Sequence, residues 1–346
     1  MSFDDSNEKD FLIGQIIFKK YEIKKKLGMG SFSSVYLVND VKSNEKYAIK
    51  LGEKNSTSGV LLTSEAKILK KLQVLGFPKF EFFGTQNEYN ILIMELLGQS
   101  LEKIFEMQNK LFSIKTACML GIQMIDRIEY LHYKKLLHGD IKPANFTLGL
   151  NSKSHIVHLI DFGFSKRYWR SERKCHIPFI KSKQFVGNPR FCSLNILRKF
   201  EFSRRDDLES IGYVIMYFIK GRLPWQNVKA YNIDDAIRKV SEKKLIISVK
   251  ELCAGFPPEL TTFISYTRNL EFTEAPDYNY LRYLLKSIIK KSGSTIDFYY
   301  DWCTKEPNIK KNDPIFTNNI IKYDSSKEWL FNSARDKDDN TGIDLV

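Results

Sequence analysis

The sequence predicts an α+β protein of two unequal parts, a small β-rich N-terminal part and a larger helical C-terminal part. Three observations predict it. Before residue 97, segments alternate apolar with polar residues or are rich in β-branched and aromatic residues. After Gly98, apolar residues recur at helical spacing instead. The chain has 346 residues, 43% hydrophobic and 27% charged, enough for a sizeable core in one large domain or in two lobes.

The elements follow in order. Residues 1–16 open with MSFDDSNEKD, which is polar and acidic. They read as a flexible extension and carry no signal-peptide pattern. YEIKKKLG (21–28), SSVYLVND (33–40) and EKYAIKLG (45–52) read as strands, and VKSN (41–44) turns between the last two. SEAKILKKLQVL (64–75) has helical spacing, with Ser64 as the expected N-cap. FEFFGTQNEYNILIMELLG (80–98) reads as two strands joined by a polar turn. SLEKIFEMQ, SIKTACMLGIQMIDRIEYLHYKK and SRRDDLESIGYVIMYFIKG all show helical periodicity. The longest apolar run, IGYVIMYFI (211–219), is too short to span a bilayer and reads as a buried helix. Residues 304–346 turn polar and charged and read as a second flexible extension. The folded part is therefore expected over 17–303, divided into 17–96 and 97–303.

Charge and cysteine content narrow the function classes. The 54 basic and 41 acidic side chains leave a net charge of +13. Such a surface suits anionic partners, whether nucleic acid, phosphopeptide, acidic protein or headgroups. A generally solvated lysine-rich surface has the same count. Five cysteines (118, 175, 192, 253 and 303) are scattered and never in CxxC spacing. That pattern argues against a disulfide framework or zinc site and favours a reducing compartment. Neither an MGxxxS start nor a C-terminal CaaX box is present, so no lipid anchor is expected.

Four motifs carry chemistry. LGMGSFSSV (27–35) puts Gly28 and Gly30 between two strands. Glycines there let backbone N–H groups approach an anion closely. A dinucleotide site of the Rossmann type would need a helix after them. The strand–turn–strand context instead fits a loop covering nucleotide phosphates, with Val35 over the base and Ser33 in place of a third glycine. In YAIK (47–50), Lys50 would hold the α- and β-phosphates, with Glu65 as its acidic partner. In LHGDIKPANF (137–146), Asp140 and Asn145 have D-x-x-x-x-N spacing. Asp140 would orient an incoming hydroxyl and accept its proton. Asn145 would bind magnesium, and Lys142 would stabilise charge on the transferred phosphoryl group. In DFG (161–163), Asp161 would bind the magnesium that bridges the phosphates. Each motif alone has a bland reading as a turn, a solvated charge or a helix cap. All four in this order and spacing exclude chance.

The sequence resembles a eukaryotic protein kinase and, more narrowly, casein kinase I. The residues that carry the narrower resemblance are IMELLGQSLEKIF (93–105), QMIDRIEYLH (123–132), SRRDDLESIGYVIMYFIKGRLPWQ (203–226), SEKK (241–244) and PDYNYLR (276–282). SLN (193–195) stands where most kinases carry A-P-E. The resemblance implies a two-lobe protein kinase fold and ATP-dependent phosphorylation of serine and threonine, with ATP and Mg2+ as cofactors. It implies an ATP site formed by Leu27, Gly28, Gly30, Val35, Ala48, Lys50, Glu65, Met94, Glu95 and Leu97. Met94 would be the gatekeeper, with Glu95 and Leu97 on the hinge. It implies that Asp207 braces the catalytic loop, a place where a helix-dipole charge is also favourable. It implies anion or substrate recognition by Lys166, Lys183, Arg190 and Gln226. The expected protein is a cytoplasmic or nuclear monomer acting on acidic or phosphorylated protein segments.

Two positions depart from the family pattern. Gly139 replaces the arginine that usually binds an anion on the activation segment. NIDDA (232–236) replaces a basic run credited with phosphate recognition and nuclear targeting, and Asp234 and Asp235 would repel a phosphate. These changes predict altered regulation and loosened phosphate-primed selectivity, with the chemistry intact. A pseudokinase or scaffold is the alternative raised by Gly139 and Ser33, yet neither a metal ligand nor the phosphate-binding lysine is missing. A specific nucleic-acid binder would need a zinc spacing, a recognition helix or an RNP motif, and none is seen.

Overall fold

A computed structural model describes residues 12–29, 33–182 and 185–303. The chain forms two compact units, Met1–Gly98 with Ile160–Gly163, and Gln99–Leu159 with Phe164–Val346. The first boundary falls where the periodicity changes. The return of Ile160–Gly163, which carries DFG, to the first unit has no signal in local sequence. The expected extensions over 1–11 and 304–346 lie outside the described residues.

The first unit is built on a six-stranded antiparallel sheet in the order β1-β2-β3-β4-β6-β5. The strands are β1 (Ile16–Ile17), β2 (Tyr21–Met29), β3 (Ser34–Asp40), β4 (Lys46–Glu53), β5 (Phe80–Gln86) and β6 (Tyr89–Glu95). Side chains alternate across a strand, and cross-strand partners share a face. The register therefore sorts the residues into two sets. Tyr21, Ile23, Tyr36, Val38, Ile49, Leu51, Ile91 and Ile93 close an apolar core with Leu12 and Ile17. Each fully buried Ile or Val there contributes about 1.5–3 kcal/mol. Val35 pairs with Lys50, and Ala48 pairs with Leu37 and Met94, which puts Val35, Ala48, Lys50 and Met94 on the opposite face.

Two expectations need correction in this unit. Residues 12–16, assigned to the flexible extension, belong to the fold. Leu12 is buried, Gly14 N donates to Ile23 O at 2.8 Å, and Ile23 N donates to Gln15 O at 2.9 Å. Helix α1 runs Thr57–Leu69 rather than 64–75, and its N-cap is Ser56, whose side chain accepts from Gly59 N. Ser64 lies in the interior of α1. The start was masked because Thr, Ser and Gly are weak helix formers. Gly59 is needed there because a Cβ would lie 2.3 Å from Glu53 O. Beyond Leu69 the backbone bonds tighten to Lys71 N–Ile68 O and Leu72 N–Leu69 O, and the helix closes.

The second unit is largely helical. Its helices are α2 (Leu101–Met107), α3 (Ile114–Tyr133), α4 (Leu194–Leu197), α5 (Arg204–Lys220), α6 (Ile233–Ile246), α7 (Val249–Leu252), α8 (Pro258–Asn269) and α9 (Tyr278–Lys291). Short strands β7 (Leu136–Leu137), β8 (Phe146–Leu148) and β9 (Val157–Leu159) flank the LHGDIKPANF loop. The apolar run 211–219 is buried within α5, which ends at Gly221 in the left-handed conformation, φ 79°. A Cβ at Gly121 of α3 would lie 2.8 Å from Ile215 and 2.9 Å from Leu285, so this glycine lets α3, α5 and α9 approach closely. No described helix is long and apolar enough to cross a membrane.

Gly59→Ala is expected to destabilise the fold by about 1–3 kcal/mol, because a backbone oxygen cannot yield to the methyl group. Thermal melting checks it against Gly28→Ala, whose Cβ would meet nothing within 4 Å and which is expected to melt close to wild type.

Candidate functional site

In the first unit, strand β4 delivers Lys50 to the face opposite the apolar core. Its Nζ lies 2.7 Å from Glu65 Oε2 of α1 and 2.9 Å from Asp161 Oδ1. Burial pulls the ammonium toward neutrality, but the Glu65 and Asp161 carboxylates more than offset this and hold the Lys50 pKa above its ordinary value. Removing one partner of such a buried pair costs about 3–5 kcal/mol. Asp161 adopts φ 66°, a left-handed conformation that aspartate tolerates better than most residues. The neighbouring Phe162 is buried, with its ring 6.0 Å from Phe77.

The remaining expected nucleotide residues described in this unit lie on or beside the same sheet, with Val35 paired to Lys50. Gly28 pairs with Val35 on the sheet, and the space above Gly28 is open. Leu27 is exposed, Ala48 is buried, and Met94, Glu95 and Leu97 are half-buried. Glu95 is fixed to Lys79 by two hydrogen bonds, Glu95 N to Lys79 O at 2.8 Å and Lys79 N to Glu95 Oε2 at 3.1 Å. Gly30 lies outside the described residues.

In the second unit, the LHGDIKPANF loop is organised around Asp140. Lys142 Nζ donates to Asp140 Oδ2 at 2.6 Å, and Asn145 Nδ2 donates to the same oxygen at 3.1 Å and to Asp140 O at 2.8 Å. The other oxygen, Oδ1, would lie 3.8 Å from a Cβ placed on Gly187. The Asn145 amide nitrogen is thus committed to Asp140. The Asn145 amide oxygen and the Asp161 carboxylate are hard oxygen donors, the ligand type that suits magnesium.

The loop hangs from Asp207 in the first turn of α5. Asp207 accepts from His138 N at 2.9 Å, from Gly139 N at 3.0 Å and from His132 Nε2 at 2.9 Å. Burial pushes this carboxyl up, but the His132 hydrogen bond and the His138 backbone donor outweigh it, so its pKa falls below the usual range. A carboxylate can only accept, so His132 Nε2 carries the proton. Burial lowers the His132 pKa despite Asp207, which keeps the ring neutral. Its Nδ1 then accepts from the Tyr278 hydroxyl at 2.8 Å. Sequence reasoning missed His132 and Tyr278 in this role. Tyr278 is 146 residues from His132 along the chain, and no local pattern links them.

Gly139 has φ 79°, and a Cβ there would lie 2.7 Å from the Phe202 ring and 3.3 Å from Phe164 O. Phe202 therefore occupies the space beside Gly139, where the resemblance leads to the expectation of arginine. Three of the four expected anion residues, Lys166, Arg190 and Gln226, already have partners. Lys166 pairs with Glu201 and sits 3.7 Å from the Phe202 ring centroid. The Arg190 guanidinium is 3.8 Å from Glu102 and near the rings of Phe191 and Tyr217. Gln226 accepts from Leu223 N. Lys183 lies outside the described residues. The repulsion expected of both Asp234 and Asp235 needs correction. Asp235 binds Lys239 and Arg238 and accepts from Tyr231 N, so its pKa falls to about 2. Only Asp234 presents a largely open carboxylate, 3.8 Å from Lys199.

The neutral His132 has a pH consequence. Its folded pKa lies below the ordinary 6.5, so below that value the unfolded chain binds the extra proton and stability falls as pH falls. His155 and His176 are lowered by burial and act with the same sign. Melting temperature is expected to drop between about pH 7.5 and about pH 5.5. His132→Gln is expected to flatten that slope. An equally steep slope in the variant would exclude His132 as a source.

Each unit thus holds one chemically coherent cluster, a lysine fixed by two carboxylates in the first and an aspartate fixed by lysine and asparagine in the second. A family model described as protein kinase domain matches residues 21–304. The chain belongs to the protein kinase domain family.

Proposed function

We propose that this protein kinase is an active serine/threonine kinase of the casein kinase I type, transferring the γ-phosphate of ATP to acidic protein segments. The observation that carries the reading is the hydrogen-bonded block formed by the motifs of the narrower resemblance. Asp206 of SRRDDLES accepts from Ser193 Oγ at 2.5 Å and from Asn195 Nδ2 at 3.3 Å, both in the SLN that replaces A-P-E. It also accepts from Ser203 N at 2.7 Å. Trp225 of LPWQ donates to Arg190 O at 2.7 Å. The net charge of +13 favours acidic substrates, and the scattered free cysteines favour a cytoplasmic or nuclear setting.

In this reading Asp140 orients the substrate hydroxyl and takes up its proton through Oδ1, the oxygen that does not bind Lys142 or Asn145. Lys142 holds the carboxylate and offsets developing negative charge. Lys50, held by Glu65, fixes the ATP phosphates. Asn145 and Asp161 each offer the oxygen ligands that suit magnesium, which would neutralise phosphate charge. The intact clusters favour catalysis over the scaffold alternative.

With an acidic serine peptide, Asp140→Asn is expected to lower kcat by about 100-fold or more, and Asp161→Ala to abolish turnover. With an acidic protein substrate that offers serine, threonine and tyrosine, phosphoamino-acid analysis is expected to find phosphoserine and phosphothreonine only. Equal turnover by wild type and Asp161→Ala would refute catalysis.

We also propose that anion control is loosened. Phe202 crowds the Gly139 position and Glu201 neutralises Lys166. Added sulfate is expected to leave wild-type turnover nearly unchanged beyond general ionic-strength effects. A phosphoserine three residues upstream of the target is expected to lower peptide KM by less than about threefold. A sharp sulfate optimum or strong priming would contradict the proposal.

A further inference from the structure

Lys244 of SEKK is completely buried, and its role is not explained by the catalytic clusters. Its Nζ donates to Cys192 O at 2.5 Å and to Pro189 O at 3.1 Å. The ammonium lies 4.6 Å from the Tyr213 ring centroid and 4.8 Å from that of Trp225. Burying an ammonium is costly, and an apolar side chain of similar volume would pack α6 at lower cost. What the ammonium supplies is a pair of charge-assisted hydrogen bonds to one short stretch of backbone.

That stretch, residues 187–193, starts at the catalytic loop. Gly187 has φ 92°, and a Cβ there would lie 2.6 Å from Gly139 O and 3.8 Å from Asp140 Oδ1. The stretch ends at Ser193, which is fastened to Asp206. Between these ends, Lys244 holds the carbonyls of Pro189 and Cys192, and Trp225 holds that of Arg190. A peptide that offers its hydroxyl to Asp140 Oδ1 has to run past this backbone.

We propose that Lys244 is a positioning residue for the protein substrate, acting through the 187–193 backbone and not on ATP. The inference rests on the kinase reading above. Loss of the ammonium frees the substrate-side backbone and leaves Asp140, Lys142 and Lys50 in place. The aromatic walls keep the cavity filled when methionine replaces lysine, because the stem is nearly isosteric.

The test uses the full chain and steady-state kinetics with an acidic serine peptide and ATP varied separately. Lys244→Met is expected to raise peptide KM about tenfold, with ATP KM and kcat at saturating peptide within about twofold of wild type. Trp225→Phe keeps a ring and removes the bond to Arg190 O. It is expected to shift peptide KM in the same direction by a smaller factor, and it serves if Lys244→Met fails to fold. Wild-type turnover with unchanged peptide KM in the folded variants overturns the inference alone. A parallel decline of kcat, ATP KM and peptide KM also overturns it, since that marks general structural damage. Wild-type turnover no higher than that of Asp161→Ala overturns the kinase reading and this inference with it.

Discussion

The helical unit depends on one buried carboxylate. Asp207 accepts two consecutive backbone N–H groups of the LHGDIKPANF loop and the imidazole of His132. A buried carboxylate short of donors would cost several kcal/mol, so the loop cannot leave without exposing that charge to an apolar interior. The constraint works in both directions. The loop satisfies Asp207, and Asp207 sets the backbone from which Asp140 projects. Tyr278 extends the chain of dependence to α9 by fixing the imidazole tautomer. The geometry of the LHGDIKPANF loop is thereby tied to the last helix of the described chain.

The β-rich unit has an analogous fixed point. Lys50 bridges α1 and the DFG segment through Glu65 and Asp161. The sheet makes this possible by placing its ten-residue apolar cluster on one face and Lys50 on the other. A shift of one residue in the β3–β4 register would turn Lys50 into that core. Register is held by the ten-residue apolar cluster, which includes Leu12 and Ile17 from the chain's N-terminal side.

Gly139 reads differently once its surroundings are known. From sequence it is a missing arginine. In the fold it is a left-handed residue with an aromatic ring against its α-carbon, next to a lysine already paired with a glutamate. Phe202, distant in sequence, lies against Gly139 in space, and Glu201 pairs with the lysine that sits over the Phe202 ring. NIDDA changes in the same way. One of its two aspartates is spent on holding α6 through Lys239 and Arg238, and the other remains open.

Much was legible in the sequence by itself. The two-part α+β organisation, most strands, the long helices and the acidic partner of Lys50 follow from periodicity and motif spacing, because these patterns are local or repeat at short range. The start of α1 was not legible, since its first turn is made of weak helix formers stabilised by a cap and by close contact with β4. Nor were His132, Tyr278, Phe202 or Lys244, whose roles come from partners tens of residues away. The sequence determined which chemical groups are present and in what order. Only the tertiary structure decided which of them meet, because burial and long-range hydrogen bonding fix the protonation state, partner and direction of each group.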